Sequence, residues 1–295
     1  MSENKTSGTF KLGDHNVCRL GYGAMQLAGP GVYGPPKDHD VAISVLRTAV
    51  SEGVNHIDTS DFYGPHLTNL LIREALHPYP DDLSVVTKIG ARRGSDKSWN
   101  PANSAEDLTH AVHDNLRHLG LDALDVVNLR VMFSRHGPAE GSIAEQVDTL
   151  VDLKKKGYVR HIGLSNVTKS QLEEALALTD IVCVQNHYNL AHRDDDDLIE
   201  DLAVKGIAYV PFFPLGGFTP LQSTLLSEVA ANLDATPMQV ALAWLLNRSA
   251  NILLIPGTSS LVHLRENLAA GNLVLSAADV QTLDLIAGTS PTSLS

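Results

Sequence analysis

The sequence predicts an α/β fold, a closed (β/α)8 TIM barrel with an N-terminal β-hairpin and extra C-terminal helices. Short apolar runs alternate with longer amphipathic segments, and eight such pairs fit within the 295 residues. Hydrophobic residues make up 43% of the chain and aromatic residues only 5%, which indicates a largely aliphatic core. No linker-like stretch interrupts the pattern, so we predict a single domain over residues 1–295.

A doubly wound parallel sheet is the alternative arrangement of the same elements. Dinucleotide-binding sheets of that kind carry three glycines in the first strand–helix turn and an acidic residue at a later strand end. Here Gly21-Tyr22-Gly23 lacks the third glycine, and no acidic strand end has the required spacing. These two absences favour the barrel.

The first predicted elements form the hairpin. Residues 8–12 and 16–18 flank the turn Gly13-Asp14-His15 and are predicted to pair as the two strands of a hairpin at the bottom of the barrel. The eight barrel strands that follow are short apolar runs. They are predicted at residues 19–23, 54–58, 84–88, 123–130, 161–164, 181–185, 207–211 and 252–255.

The predicted helices show apolar residues at helical spacing. Those paired with strands cover residues 38–52, 67–76, 104–119, 143–156, 169–178, 194–204, 221–232 and 261–270. Two extra helices cover residues 237–247 and 277–286. Ser104 with Asp107 resembles a capping box, Gly157 is placed to end the fourth helix, and Pro237 falls in a first helical turn, where proline is tolerated.

Composition limits the possible partners and compartment. A net charge of -12 argues against a general nucleic-acid or anionic-membrane surface. Cys18 and Cys183, the only two cysteines, suggest neither a disulfide framework nor a cysteine-based metal site. The first residues are polar, and no apolar run is long enough to span a bilayer. We therefore predict a cytoplasmic protein. The 13 histidines show no metal-binding spacing, so no metal site is expected.

Charged residues end three consecutive predicted strands. Asp58, Lys88 and Arg130 end strands two, three and four, and Tyr63 follows Asp58 by five residues. Because barrel chemistry takes place at the carboxyl ends of the strands, these four side chains should share one mouth. There Lys88 would lower the pKa of the Tyr63 phenol and Asp58 would hold Lys88. The alternative is a structural Asp58–Lys88 ion pair with Tyr63 at the rim.

Several ordered motifs resemble the aldo-keto reductases. They are residues 53–64 (GVNHIDTSDFYG), the Lys88 strand end, residues 159–166 (VRHIGLSN), and residues 255–258 (IPGT) with Glu266-Asn267. The resemblance runs from about residue 12 to residue 285. It is greatest to a short-tailed bacterial branch that includes pyridoxal reductases.

This resemblance implies NADPH-dependent reduction of an aldehyde or ketone, with Tyr63 as the acid and Lys88 and Asp58 beside it. Arg130 stands where most family members carry histidine. We expect Arg130 to polarise the carbonyl and to favour small substrates with an anionic group beside it, such as a pyridoxal-type aldehyde reduced to pyridoxine. The alternative role is an ion pair with a loop acid such as Asp61.

The resemblance also implies a cofactor site. Ser165, Asn166 and Gln185 would hold the nicotinamide carboxamide, and Phe212 takes the position of a stacking tyrosine. The pyrophosphate path is assigned to Pro214, Leu215 and Gly216. The adenosine and 2′-phosphate end is assigned to Gly257, Thr258, His263, Arg265, Glu266 and Asn267. Gly257 replaces a common lysine and His263 a common arginine, which leaves Arg265 as the nearby cation. NADPH is still expected in preference to NADH.

Two other functions use the same barrel. One is an NADPH-binding redox sensor or regulatory protein with low turnover, and the other is a phosphate-substrate isomerase. The sensor predicts tight NADPH binding without turnover, and the isomerase predicts no NADPH oxidation at all.

Overall fold

A computed structural model describes residues 7–134, 137–214, 216 and 223–287. Its strands are β1 (Thr9–Leu12), β2 (His15–Cys18), β3 (Tyr22–Gly23), β4 (His56–Asp58), β5 (Ser84–Ile89), β6 (Ala91–Arg93), β7 (Trp99–Pro101), β8 (Leu124–Arg130), β9 (Val159–Ser165), β10 (Ile181–Gln185) and β11 (Ala208–Tyr209).

The helices surround these strands in the predicted order. They are α1 (His39–Ser51), α2 (Leu67–Leu76), α3 (Ala105–Leu119), α4 (Ala144–Lys155), α5 (Lys169–Leu178), α6 (Asp196–Lys205), α7 (Thr224–Asn232), α8 (Pro237–Arg248), α9 (Leu261–Ala269) and α10 (Ala277–Asp284). The prediction began α7 at residue 221, but residues 221 and 222 lie outside the described ranges. None of the described helices is both long enough and apolar enough to cross a bilayer.

Seven strands form one curled parallel sheet in the order β3-β4-β5-β8-β9-β10-β11. The eighth predicted strand, residues 252–255, joins the two edges through single bridges. The backbone N–H of Leu254 donates to Arg19 O at 2.7 Å, and that of Leu253 donates to Tyr209 O at 2.9 Å. These bonds close the sheet into the predicted (β/α)8 barrel.

The N-terminal hairpin closes the barrel bottom. Leu12 and Val17 belong to the same buried cluster as Val86, Val126 and Leu253, which come from the barrel strands and the closing segment. A larger apolar cluster joins the outer faces of the strands to the helices. The hairpin covers the amino ends of the barrel strands and the helices cover their outer faces. The carboxyl ends of the strands are therefore the open end of the barrel.

One close approach inside the barrel requires glycine. A Cβ on Gly21 would lie 2.2 Å from the ring of His56, so Gly21 leaves the space that the imidazole occupies. Neither ring nitrogen of the fully buried His56 finds a hydrogen-bond partner among the described residues. Burial lowers the pKa of His56 to about 4, so the ring is neutral at physiological pH.

The antiparallel pair β6–β7 is an element that the sequence did not predict. Each strand has only three residues, and half of the six are polar, so neither segment is long enough to show the alternation that predicts a strand. The pair stands directly after β5, at the carboxyl end of the barrel. It therefore contributes to the wall of the site described next.

Candidate active site

The strand-end charges meet at one mouth, as predicted. A cavity of about 690 Å³ at the carboxyl end of the barrel is lined by Asp58, Tyr63, Lys88 and Arg130 together. Asp58 ends β4, Lys88 lies one residue before the end of β5, and Arg130 ends β8. Parallel strands of similar register bring these ends to one level.

Lys88 and Asp58 form a buried ion pair. The ammonium Nζ donates to Asp58 Oδ1 and also to the backbone carbonyl of Thr59, at 3.0 Å for the latter. Burial by itself lowers the pKa of Lys88, but the charges of Asp58 and Tyr63 outweigh it and raise the pKa above the ordinary lysine value. Lys88 is therefore a fixed cation across the physiological pH range.

Tyr63 lies against this pair and is 6% exposed. Lys88 Nζ is 5.2 Å from the centroid of the Tyr63 ring. Burial raises the pKa of the Tyr63 hydroxyl, whereas Lys88 and Arg130 lower it, and burial is the largest effect. We expected a net lowering by Lys88. In the protein alone the balance is upward, so Tyr63 stays protonated at neutral pH.

Arg130 faces the cavity. Its Nη1 donates to Ser165 Oγ at 3.2 Å, and its guanidinium carbon lies 4.9 Å from the centroid of the Phe212 ring. No carboxylate in the described ranges forms an ion pair with Arg130, and Asp61 is buried without an ion pair in the same ranges. The alternative of an Arg130–Asp61 ion pair is therefore wrong.

A buried polar network supports the strand ends from behind, and the sequence reasoning missed it. Thr59 Oγ1 donates to Asn69 Oδ1 at 2.8 Å, and Asn69 Nδ2 donates to Asn115 Oδ1 at 2.8 Å. Thr87 Oγ1 also donates to Asn115 Oδ1, at 2.5 Å. Thr59 follows Asp58 and Thr87 precedes Lys88, so the network fixes both strand ends. The available signal was Asn115 itself, a polar residue in the buried stripe of α3.

The outer wall was also missed by sequence reasoning. Trp99 of β7 lines the cavity, and Phe62 packs edge-on against both Trp99 and Tyr63 at centroid distances of 5.6 and 5.4 Å. Arg93 of β6 stacks on Trp99 at 4.0 Å from its ring centroid and donates to Val32 O at 2.8 Å. Further cavity residues that the sequence did not suggest are Met25, Gln26, Met132, Phe213 and Met238.

Residues predicted for three different parts of the cofactor line this cavity. They are Gln185 and Phe212 from the nicotinamide end, Pro214 from the pyrophosphate path and Gly257 from the adenosine and 2′-phosphate end. Ser165 is fully buried beneath Arg130.

The side-chain Nδ2 of Asn166 donates hydrogen bonds to the backbone carbonyls of Val131 and Gly137, at 2.8 and 3.3 Å. Gly216 is half-buried and donates its backbone N–H to Phe213 O at 3.0 Å. Leu215 lies outside the described residues.

The residues predicted at the adenosine end cluster around the start of α9. A second cavity of about 640 Å³ shares Met25 and Gln26 with the first and reaches Ser259, next to Thr258. Thr258 is buried and its Oγ1 accepts from Ser260 N at 3.1 Å.

The rest of this group lies farther along the helix. His263 is exposed, Asn267 is buried, and the Glu266 carbonyl accepts from Gln239 at 3.1 Å. Arg265 Nε donates to Glu52 Oε1 at 3.0 Å, which leaves the N–H groups of its two Nη atoms to contact a phosphate.

The sequence that forms this barrel and carries the buried Asp–Lys pair and its tyrosine matches a protein-family model. That model, described as the aldo/keto reductase family, covers residues 19–287. The chain belongs to the aldo/keto reductase family. Membership makes it an NADP-dependent oxidoreductase that reduces carbonyl groups.

Individual aldo/keto reductases agree over nearly the whole chain. Pyridoxine 4-dehydrogenase of Escherichia coli (strain K12) is 69% identical over 280 residues, which cover 95% of this chain and 98% of that protein. An uncharacterized oxidoreductase of Schizosaccharomyces pombe is 38% identical, over 94% of this chain and 89% of its own length.

Solved structures show the same fold. A thermostable aldo-keto reductase solved with the inhibitor epalrestat superposes with a TM-score of 0.79 at 29% identity, over 94% of this chain and 99% of that one. An aldo-keto reductase of Klebsiella pneumoniae in complex with NADPH gives 0.76 at 24% identity, over 94% of both chains.

The residues present fit a nicotinamide cofactor of this family. Gln185 Oε1 is buried at the cavity wall and has no hydrogen-bond partner within the described part of the chain. A carboxamide N–H₂ is a donor of the kind that such an acceptor requires. The two adjoining cavities provide room along the line from Gln185 to the start of α9.

Proposed function

We propose that this aldo/keto reductase reduces pyridoxal-type aldehydes, whose phenolic oxygen stands beside the carbonyl, to the corresponding alcohol with NADPH. The observation that carries the substrate class is Arg130, a cavity-lining guanidinium with no carboxylate partner in the described ranges. A cation placed in this way recognises an anionic oxygen. The name of the 69% identical E. coli relative, pyridoxine 4-dehydrogenase, denotes chemistry on the same type of ring.

Tyr63 is proposed as the proton donor. Its hydroxyl is protonated at neutral pH because burial raises its pKa, and it lies beside the Lys88 ammonium. Bound NADPH would supply the hydride to the carbonyl carbon. As the Tyr63 proton moves to the carbonyl oxygen, the phenolate left behind gains the full attraction of Lys88, which Asp58 holds in place.

Arg130 is proposed to orient the substrate rather than to transfer a proton. A guanidinium does not deprotonate in this pH range, so it cannot act as the acid. It can donate two parallel hydrogen bonds, one to the carbonyl oxygen and one to a neighbouring phenolate. Ser165 steadies one edge of the guanidinium through its hydroxyl.

The cofactor assignment follows the same walls. Gln185 would accept from the nicotinamide carboxamide and Phe212 would stack on the ring, with Ser165 and Asn166 beside them. Thr258 and the start of α9 would hold the adenosine end.

Both cysteines are free and buried, as is usual for proteins of a reducing compartment. We place the reaction in the cytoplasm, with small molecules as partners.

The substrate proposal is tested with two matched aldehydes, salicylaldehyde and benzaldehyde, which differ by one phenolic oxygen. In Arg130→His, kcat/KM for pyridoxal and salicylaldehyde should fall roughly 10- to 100-fold, the contribution of a charge-assisted hydrogen bond. Benzaldehyde should lose less than about threefold, because the histidine N–H can still donate to its carbonyl oxygen and there is no phenolate contact to lose. Equal losses on all three aldehydes would overturn the phenolate assignment.

The reductase and the sensor are separated by turnover. We expect steady NADPH oxidation with pyridoxal that disappears in Tyr63→Phe, while NADPH still binds that variant, as judged by fluorescence titration. NADPH binding of the unchanged protein without oxidation of any aldehyde would favour the low-turnover sensor. Parallel assays with NADH measure the cofactor preference.

A further inference from the structure

Asp61, His66 and Asp114 form a cluster outside the cavity. One oxygen or nitrogen from each of the three lies within 4.8 Å of the other two. Asp61 and His66 flank the turn before α2, whereas Asp114 lies on α3, so the fold joins residues that share no sequence motif. None of the three lines either cavity described above.

Two atoms of this cluster lack the partners that buried polar atoms normally have. Asp61 is only 6% exposed, and its Oδ1 has no hydrogen-bond partner in the described ranges. The same holds for His66 Nδ1, and for Nδ1 of His118, whose ring packs on that of His66 at 4.6 Å. Buried polar atoms are rarely left unpaired, so the cluster offers acceptors that a ligand can satisfy.

The composition of the cluster favours a cation, because two carboxylates and an imidazole converge on one point and all three are metal-ligand types. One cation is already present, since Arg117 Nη2 contacts Asp114 Oδ1 at 2.6 Å. Arg117 is largely exposed and can swing away.

We propose that Asp61, His66 and Asp114 bind one divalent transition-metal ion of the Zn²⁺ type. Imidazole nitrogen and carboxylate oxygen are accepted zinc ligands, and water can complete the coordination. Ligand atoms bound tetrahedrally at about 2.1 Å to one ion lie about 3.4 Å apart, so a pair at the 4.8 Å limit must close by about 1.4 Å. The ion would tie the turn that carries Tyr63 to helices α2 and α3.

Calorimetric titration of the full chain without a histidine tag, stripped with chelator, tests this directly with ZnCl₂ alone. We expect about one Zn²⁺ per chain. Asp114→Asn and His66→Gln should each weaken binding by at least about tenfold. Both positions are partly exposed, so these variants should fold even if Asp61→Asn does not. His110→Gln, which replaces an exposed histidine on the same helix, is the matched control and should bind as the unchanged protein does.

Two further readouts separate a metal site from a merely structural cluster. Arg117→Gln removes the competing cation and should tighten Zn²⁺ binding about three- to tenfold. Zn²⁺ at a hundredfold excess over Kd should raise Tm by roughly 4 °C in the unchanged protein and not in Asp114→Asn. The proposal is overturned if no saturable binding occurs, or if binding is unaffected by the two ligand substitutions.

Discussion

Gln185 donates a hydrogen bond from Nε2 to Asp58 Oδ2 at 2.9 Å, across the barrel mouth from β10 to β4. Asp58 therefore bridges Gln185 and Lys88, with one carboxylate oxygen for each. The second amide atom of Gln185, Oε1, is buried without a hydrogen-bond partner in the described residues and is the atom we propose for the nicotinamide carboxamide. One side chain thus links the proposed proton-donating group to the proposed nicotinamide subsite.

We predict that Gln185→Met weakens both functions of that link. Methionine fills similar space but leaves Asp58 Oδ2 unpaired and removes the carboxamide acceptor. The Kd for NADPH, measured by fluorescence titration, should rise about tenfold. The value of kcat/KM, measured by steady-state kinetics, should fall by more than about tenfold. Gln146→Met, on the outer helix α4, is the control. An unchanged Kd would contradict the carboxamide assignment.

Asn115 is predicted to stabilise both the fold and the site. Asn115→Leu leaves Asn69 and Thr87 without their shared acceptor, so the free energy of unfolding should drop by about 2–4 kcal/mol. Urea unfolding measures this. Because Thr87 precedes Lys88, kcat should fall as well. Asn247→Leu changes an exposed asparagine of α8 and should leave both values unaltered.

Arg93 is predicted to position the substrate wall without taking part in the chemistry. Lysine cannot both stack on Trp99 and reach the carbonyls of Gly31, Val32 and Lys97 that Arg93 contacts. In Arg93→Lys, KM for pyridoxal should rise about fivefold while kcat changes less than about twofold. Arg92→Lys, at the exposed neighbour on the same strand, should change neither constant. A loss confined to kcat would argue against a positioning role.

We predict that the buried His56 makes the protein less stable in mild acid. Its pKa is about 4 in the folded protein, against 6.5 when unfolded, so the unfolded state binds a proton that the folded state excludes. The stabilisation is complete above pH 6.5 and is lost as pH falls towards 4, a total of about 3 kcal/mol. Urea unfolding of the unchanged protein and of His56→Phe at pH 7.0 and 4.5 measures it. Between pH 7.0 and 4.5 the free energy of unfolding should fall by about 2–3 kcal/mol less in the variant than in the unchanged protein. An equal fall in both proteins would rule out His56 as the cause.

The sequence by itself determined the barrel and the three charged residues at its strand ends. Strand and helix periodicities depend on short-range geometry, and the carboxyl ends of parallel strands must converge, so Asp58, Lys88 and Arg130 could be assigned to one mouth from spacing alone. The shortness of the β3 and β11 ladders could not be predicted, because ladder length depends on how the edges meet in the closed barrel.

Only the tertiary structure decided what each charged group pairs with. Arg130 contacts Ser165 and Phe212 rather than Asp61, and Asp61 joins His66 and Asp114, because side chains far apart in sequence become neighbours only when the sheet closes. The direction of the Tyr63 pKa shift also depends on packing. Burial raises that pKa by more than Lys88 lowers it, and burial is a property of the assembled barrel rather than of any local motif.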